Sequence, residues 1–278
     1  MTIDRRAFVA SISGALAVST LPKIAMAAQV RKVGLQLYTV RELFQRDPVA
    51  TLEKVARIGY REVEFGGGNY EAMDHALLRR TMDKLHLSAP SLHVPYETLL
   101  TKFAEAVKMA KALGADTIVV PWLPEELRTD TGFGAVVENM NRFAKQARDA
   151  GLGLAYHNHD FEFTTRFDGK SLYDRLVSGT DPALVKLELD LFWAVHAGED
   201  PGKLVDRLAA RLYAFHVKDM RADKSMTAVG TGTIDFAALF KRPGAASVRH
   251  FYVENDEAPA PYLPDITTSF RNLSALRF

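Results

Sequence analysis

The stretch Val185-Lys186-Leu187-Glu188-Leu189-Asp190-Leu191 alternates apolar and charged residues with a period of two. Side chains alternate faces along a β-strand. Leu187, Leu189 and Leu191 therefore share one face, and Lys186, Glu188 and Asp190 share the other. The pattern recurs downstream, where Tyr213, Phe215 and Val217 oppose Ala214, His216 and Lys218. Phe251 and Val253 then oppose His250, Tyr252 and Glu254, and upstream Ala155, His157 and His159 share a face. In a barrel wrapped by helices the apolar face turns outward, so the polar set is expected to point inward.

Working outward from these strands, apolar runs begin near Val33, Arg61, Ala89, Asp116, Gly153, Val185, Leu212 and Val248. Their spacing of roughly 27 to 37 residues is the length of one βα unit. The segments between them are helical in period. Phe103, Ala106, Val107, Ala110 and Leu113 form one stripe, and Val136, Met140, Phe143, Ala144 and Ala147 another. Gly59, Gly114 and Gly151 follow three such helices, where a left-handed cap is expected. Eight uninterrupted βα units, with no linker between them, predict a single-domain α/β fold, a (β/α)8 TIM barrel over residues 28–278. No glycine-rich dinucleotide fingerprint follows the first strand, which weighs against a Rossmann fold.

The first 27 residues read differently. A charged start, a modestly apolar middle and Ala25-Met26-Ala27 describe a signal peptide. Asp4-Arg5-Arg6-Ala7-Phe8-Val9 resembles a twin-arginine export signal, with Asp4 and Ala10 departing from the usual residues. The resemblance implies a periplasmic or otherwise exported protein with a mature chain from Ala28; an amphipathic helix or retained anchor is the alternative. The apolar run is too short for a comfortable span, and no membrane span is expected in the mature chain. The net charge is +1, and residues 1–27 carry three bases and one acid, so the remainder carries −1. Such a chain offers no electrostatic case for nucleic acid. The absence of cysteine excludes disulfides and thiolate metal sites.

Polar residues gather toward the C-terminal ends of the strands, where barrel active sites lie. That places His157, His159, Asp190, His216 and Glu254 around one pocket, with Glu64 and His93 on the same rim. Burying so many ionisable groups uncompensated is costly, and one divalent cation explains the set. Two imidazoles with two carboxylates suit Mn, Zn, Co or Fe better than Mg or Ca. Singly, each residue has a plainer role: His216 as a hydrogen-bonded structural histidine, Asp190 as a helix cap, Glu254 as a partner of Lys218, Lys218 as an ion pair with Asp219 or Glu254.

At these residues the chain resembles the xylose isomerase-like superfamily of sugar phosphate isomerases and epimerases, over essentially the whole mature length. The likeness lies in Gly34-Leu35-Gln36-Leu37-Tyr38, Tyr156-His157-Asn158-His159-Asp160-Phe161-Glu162-Phe163, Asp190-Leu191-Phe192-Trp193, Phe215-His216-Val217-Lys218-Asp219, Gly230-Thr231-Gly232-Thr233-Ile234-Asp235 and Val253-Glu254-Asn255-Asp256. The resemblance implies a metal site, with Mn first, on Asp190, His216 and Glu254, and places His157 where the family usually has glutamate. In sugar epimerases that glutamate and the eighth-strand glutamate form an acid/base pair, so the substitution bears on mechanism.

The expected chemistry is proton abstraction next to a carbonyl of a sugar or ketosugar. Glu254 is the expected base, His159 (or His157) its partner, and Lys218 the group polarising the substrate oxygen. Glu64, His93 and Trp193 are expected to contact hydroxyls and a sugar face. Isomerisation or epimerisation is the first reading, elimination of the aglycone from a 3-keto-glycoside the second, and an exported sugar-binding protein the non-enzymatic one.

Overall fold

The computed structural model describes residues 28–278, and the leader expected over 1–27 lies outside the described residues. Eight strands form one sheet: Gly34–Gln36 (β1), Glu62–Glu64 (β2), Ser91–His93 (β3), Thr117–Val120 (β4), Gly153–His157 (β5), Val185–Asp190 (β6), Leu212–Val217 (β7) and His250–Val253 (β8). They pair in parallel in the order β2-β1-β8-β7-β6-β5-β4-β3. Parallel bridges Glu62–Ser88 and Phe65–Leu92 join β2 to the β3 side and complete the ring. The expected single-domain TIM barrel is the observed fold.

Helices pack their apolar stripes onto the outer face of the ring. Helix Asp130–Asp149 buries Phe133, Val136, Met140, Phe143, Ala144 and Ala147. Burying a side chain such as Phe143 contributes about 1.5–3 kcal/mol. Helix Phe103–Leu113 buries Ala106, Met109, Ala110 and Leu113 and packs Phe103 and Val107 at its edge. Side-chain oxygens of Asp47, Asp74, Thr129, Ser171, Asp200 and Asp235 cap the starts of the helices they precede, satisfying amides that have no partner within the helix. Gly59, Gly114 and Gly151 all take positive φ where the preceding helices end.

Alternation fails at one place on β7. The sequence puts Tyr213 outward with Phe215 and Val217, but Tyr213 packs inside the barrel with Val119, Ala155, Ala214 and Tyr252, its ring centroid 5.0 Å from that of His250. The reason is a break in register: Leu187 pairs with Leu212, and Glu188 pairs with Ala214. The extra residue lets Tyr213 and Ala214 both face the interior, as a β-bulge does. The bulge also sets the small Ala214 beside Glu188, and Asp190 beside His216. On the adjacent β8, Tyr252 fills the interior over Gly34, where a Cβ would lie 2.4 Å from its ring.

Candidate active site

The C-terminal ends of β5 to β8 bring His157, Asp190, His216 and Glu254 together, with one ligand atom from each lying within 4.8 Å of the others. All four are buried. His216 Nδ1 is 2.7 Å from Glu254 Oε2, and His157 Nε2 is 3.8 Å from Asp190 Oδ2. Lys218 Nζ lies among the carboxylates, 2.8 Å from Glu254 Oε2, 2.9 Å from Asp256 Oδ2 and 3.2 Å from Asp190 Oδ2. Asp190 fills two roles with two oxygens. Its Oδ1 accepts from Trp193 N at 2.9 Å and caps the next helix, while its buried Oδ2 faces the Lys218 ammonium at 3.2 Å without a well-aligned hydrogen bond.

Beneath this set lies Glu188, which the alternation placed inward but to which the sequence reading gave no role. Its Oε1 is 2.8 Å from His93 Nε2, 2.9 Å from His216 Nε2 and 3.2 Å from His157 Nδ1. These are distances of a shared hydrogen-bond acceptor. Glu188 therefore orients His93 and His216 from below, with His157 Nδ1 close by but not hydrogen-bonded to it, and Glu64 joins it, its Oε2 2.8 Å from His216 Nε2 and 3.0 Å from His93 Nε2. A carboxylate on one ring nitrogen presents the other to a metal; for His216 that other nitrogen is Nδ1, which faces Glu254. The signal that could have found Glu188 was its place two residues before Asp190 on the same face.

The electrostatics agree. Burial penalises the Glu188 carboxylate, yet His216 and His93 hold its pKa well below the usual range. Burial pushes His216 down, but Glu188 and Glu254 raise it well above an ordinary imidazole. His157 goes the other way, lowered by burial and by its histidine neighbours, so it is neutral and able to ligate. Burial raises Asp190 despite Lys218. A buried carboxylate oxygen without an aligned hydrogen bond, with a neutral imidazole 3.8 Å away, fits a ligand pair for a cation. Glu188→Gln is expected to weaken divalent-ion affinity by about 10- to 100-fold, the usual effect of losing a carboxylate behind ligating histidines; a competition titration with a chelating dye would measure it, and unchanged affinity would remove Glu188 from this role.

The flanking motif residues position the loops. Asn158 Oδ1 accepts from Asp190 N at 3.0 Å, tying the end of β5 to β6. Asp219 makes no ion pair with Lys218. Its carboxylate accepts from the amides of Gly230, Gly232 and Ile234 at 2.8, 2.8 and 3.2 Å, and a Cβ on Gly232 would lie 2.4 Å from Asp219 Oδ1.

Glu162 accepts from Tyr156 OH at 2.7 Å and from His159 N at 2.8 Å. Burial pushes its pKa up to about 7. Because the folded value exceeds the unfolded one, the neutral carboxyl's stabilisation is full below the unfolded pKa and is lost as pH rises through about 7. Glu162→Gln is therefore expected to flatten the fall in stability between pH 5 and 7.5 by about 2 kcal/mol; urea melts of both proteins at the two pH values check the difference.

A cavity of about 500 Å³ opens above the cluster, lined by His93, His157, His159, Lys218, Glu254 and Asp256 on one side and by Tyr38, Glu71, Pro95 and Trp122 on the other. Of the two histidines at the fifth strand, His157 joins the ligand cluster and His159 stands beside it, ring centroids 5.0 Å apart. Burial and Lys218 push His159 down to about 3, so it is neutral, and its Nδ1 has no partner. Glu64 and Trp193, expected at the substrate, do not line the cavity. Glu64 is spent on Gln36, Ser91, His93 and His216. Trp193 lies behind His159, ring centroids 5.5 Å apart.

Residues 52–242, about two thirds of the chain, match the family described as xylose isomerase-like TIM barrel. The inosose dehydratase of Mesomycoplasma hyopneumoniae is 25% identical over 224 residues, covering 72% of this chain and 73% of that protein. Among solved structures, a sugar phosphate isomerase/epimerase from Parabacteroides distasonis superposes with a TM-score of 0.75 at 24% identity, covering 89% of this chain and 95% of that one. The IOLI protein, solved with a bound zinc atom, superposes with a TM-score of 0.69 at 16% identity, covering 87% and 96%.

Proposed function

The chain belongs to the xylose isomerase-like TIM barrel family, and from that premise we propose that it is a metal-dependent lyase that removes a proton next to the carbonyl of a ketosugar or similar polyhydroxy ketone and eliminates the group on the adjacent carbon. The observation that carries this reading is the fifth strand. It delivers the neutral imidazole of His157 to the cluster, where a two-carboxylate epimerase needs a second acid/base glutamate. One carboxylate base suffices for elimination, and the relative described as a dehydratase supports the same direction. Isomerisation or epimerisation is the second reading, favoured by the unpartnered His159 Nδ1, which offers another proton acceptor at the cavity. A sugar-binding protein without activity is the non-enzymatic reading.

His157, Asp190, His216 and Glu254 would hold one divalent ion, manganese first, with zinc, cobalt or iron as alternatives for this nitrogen and oxygen donor set. When bound, the ion supplies Lewis acidity toward a substrate oxygen. The chain's own groups handle the proton. Glu254 turns Oε2 toward the ligand cluster, beside His216 and Lys218, leaving Oε1 to take the proton from carbon. Burial opposes the charge on Lys218, but Asp190, Asp256 and Glu254 hold it firmly protonated, so it stabilises negative charge on the substrate oxygen rather than donating a proton. The carbon's electron pair forms the new double bond as the adjacent C–O bond breaks. The departing oxygen leaves with a proton, and His159, with one N–H and one acceptor nitrogen, can relay it.

The test is turnover of keto-sugars and keto-inositols in deuterium oxide with the metal-loaded protein. Loss of water or an alcohol supports the lyase. Deuterium uptake with retention of every substituent supports the isomerase or epimerase. Neither, with any carbonyl substrate, supports the binder. We also propose export, on Arg5-Arg6 and Ala25-Met26-Ala27: Arg5→Lys with Arg6→Lys is expected to retain precursor in the cytoplasm, and exported material beginning at Met1 on N-terminal sequencing would reject the cleavage site.

A further inference from the structure

The reacting groups occupy only one side of the cavity. They come from β5, β7 and β8, whereas the other wall is built from residues following β1 to β4. That wall is aromatic and open. Among the described residues the large apolar side chains left exposed are Tyr38 (39%), Leu77, Leu100 and Trp122 (46%). The two aromatic ones both line this cavity.

Neither ring is loose. The guanidinium of Arg41 lies 4.2 Å from the Tyr38 ring centroid and donates to Tyr38 O at 2.8 Å. The guanidinium of Arg128 lies 4.9 Å from the Trp122 ring centroid and 3.7 Å from that of Phe161, and it donates twice to Leu123 O, at 3.0 and 2.8 Å. Cation–π contact and fixed hydrogen bonds brace each ring from outside. Exposed aromatic surface held in place beside a polar, charged floor is the arrangement of a binding site, since apolar rings give area and a few polar groups give orientation. A cavity of about 500 Å³ is also more than a lone six-membered polyol needs.

We propose that Tyr38 and Trp122 form a leaving-group subsite, and that the substrate is a glycoside of a ketosugar whose departing alcohol carries a second, flat-faced ring. This rests on the elimination reading above and names its substrate class. The oxidised sugar ring lies on His157, Lys218 and Glu254. The ring of the departing group, an aryl group or a second pyranose, packs on the aromatic wall. Elimination then releases that ring as the free alcohol, its oxygen protonated, and leaves an unsaturated keto-sugar; no oxidant or reductant is consumed. Trp122 thereby takes the ring-stacking role that the sequence suggested for Trp193.

Binding of unoxidised probes tests the subsite without turnover. The metal-loaded full chain is titrated calorimetrically with 4-nitrophenyl β-D-glucopyranoside, cellobiose and methyl β-D-glucopyranoside. One or both two-ring probes are expected to bind about tenfold tighter than the methyl glucoside, the scale of a good aromatic contact; which of them does so distinguishes an aryl from a glycosyl departing group. Trp122→Ala and Tyr38→Ala are expected to cut that preference below about threefold while leaving metal content and methyl glucoside affinity unchanged. Equal affinity for all three probes, binding of none, or a preference that survives both substitutions would overturn the proposal. So would a self-associating wild-type chain that Trp122→Ala renders monomeric, because a second copy would then cover the rings. The outcome is separable from the elimination reading: a ring preference without metal or exchange sinks the chemistry and keeps the subsite, and metal-dependent exchange without a ring preference does the reverse.

Discussion

Asp190→Ala and His216→Ala are each expected to yield protein without its divalent ion and without measurable turnover. The wild-type chain is expected to purify with about one transition-metal ion, as a closed set of three or four protein ligands does. Removing one ligand of the four also leaves the remaining buried charges uncompensated, which raises the cost of keeping the site formed. His216→Ala strips away the partner of Glu64, Glu188 and Glu254 at once. Asp190→Ala additionally removes the cap of the helix that starts at Leu191, a loss of about 0.5–2 kcal/mol. Asp190→Asn separates the two effects, since an amide oxygen still caps but does not carry the charge. Metal content by elemental analysis, with circular dichroism to confirm folding, decides the matter. Stoichiometric metal in both alanine variants would rule out this ligand set, and chelation of the wild-type protein is expected to reproduce their inactivity.

Glu254→Gln is expected to lower turnover by about 10²- to 10⁴-fold, the usual contribution of a positioned base, because an amide cannot accept the proton that Oε1 takes. The fold has less reason to fail. Lys218 keeps Asp190 and Asp256 as partners, and His216 keeps Glu64 and Glu188. Solvent-deuterium exchange is the cleaner readout, because it follows proton removal alone and not the departure of the leaving group. A variant that exchanges the substrate proton at the wild-type rate would show that another group, with His159 foremost, is the base. Weakened metal binding is expected too, since Glu254 belongs to the ligand cluster, and assays at saturating metal keep that effect apart from loss of the base.

Much of this architecture is local and therefore legible in the chain. A period of two in Leu187-Glu188-Leu189-Asp190, set between helical stripes of period near 3.6, fixes which elements form and which faces meet. Eight such units have few ways to bury their apolar faces other than a closed barrel, so the strand starts expected near Val33 to Val248 are met within about two residues. The convergence of His157, Asp190, His216 and Glu254 follows from the same rule, since residues at the same end of neighbouring inward faces must meet. Of the plainer readings, Asp190 caps its helix and Lys218 pairs with Glu254 but not with Asp219; neither excludes a second role, because one carboxylate has two oxygens and one ammonium has three donors.

What the chain alone did not decide depends on register and depth. Alternation gives a face and not a height in the barrel, so Glu64 reads as a rim residue although it lies beneath the ligands among Gln36, Ser91 and His216. The β7 bulge is invisible to a period-two count; it turns Tyr213 inward and seats Glu188 under three imidazoles. Trp193 and Trp122 are both plausible sugar platforms by type, and only packing separates them, with Trp193 behind His159 and Trp122 open to the cavity. The sequence by itself determined the fold and which inward-facing polar residues share one end of the barrel, because both follow from residue type and local period, and it left His157 and His159 undistinguished. The tertiary structure decided which groups touch the substrate space and which hold the others in place, because those roles depend on distances between segments far apart in the chain.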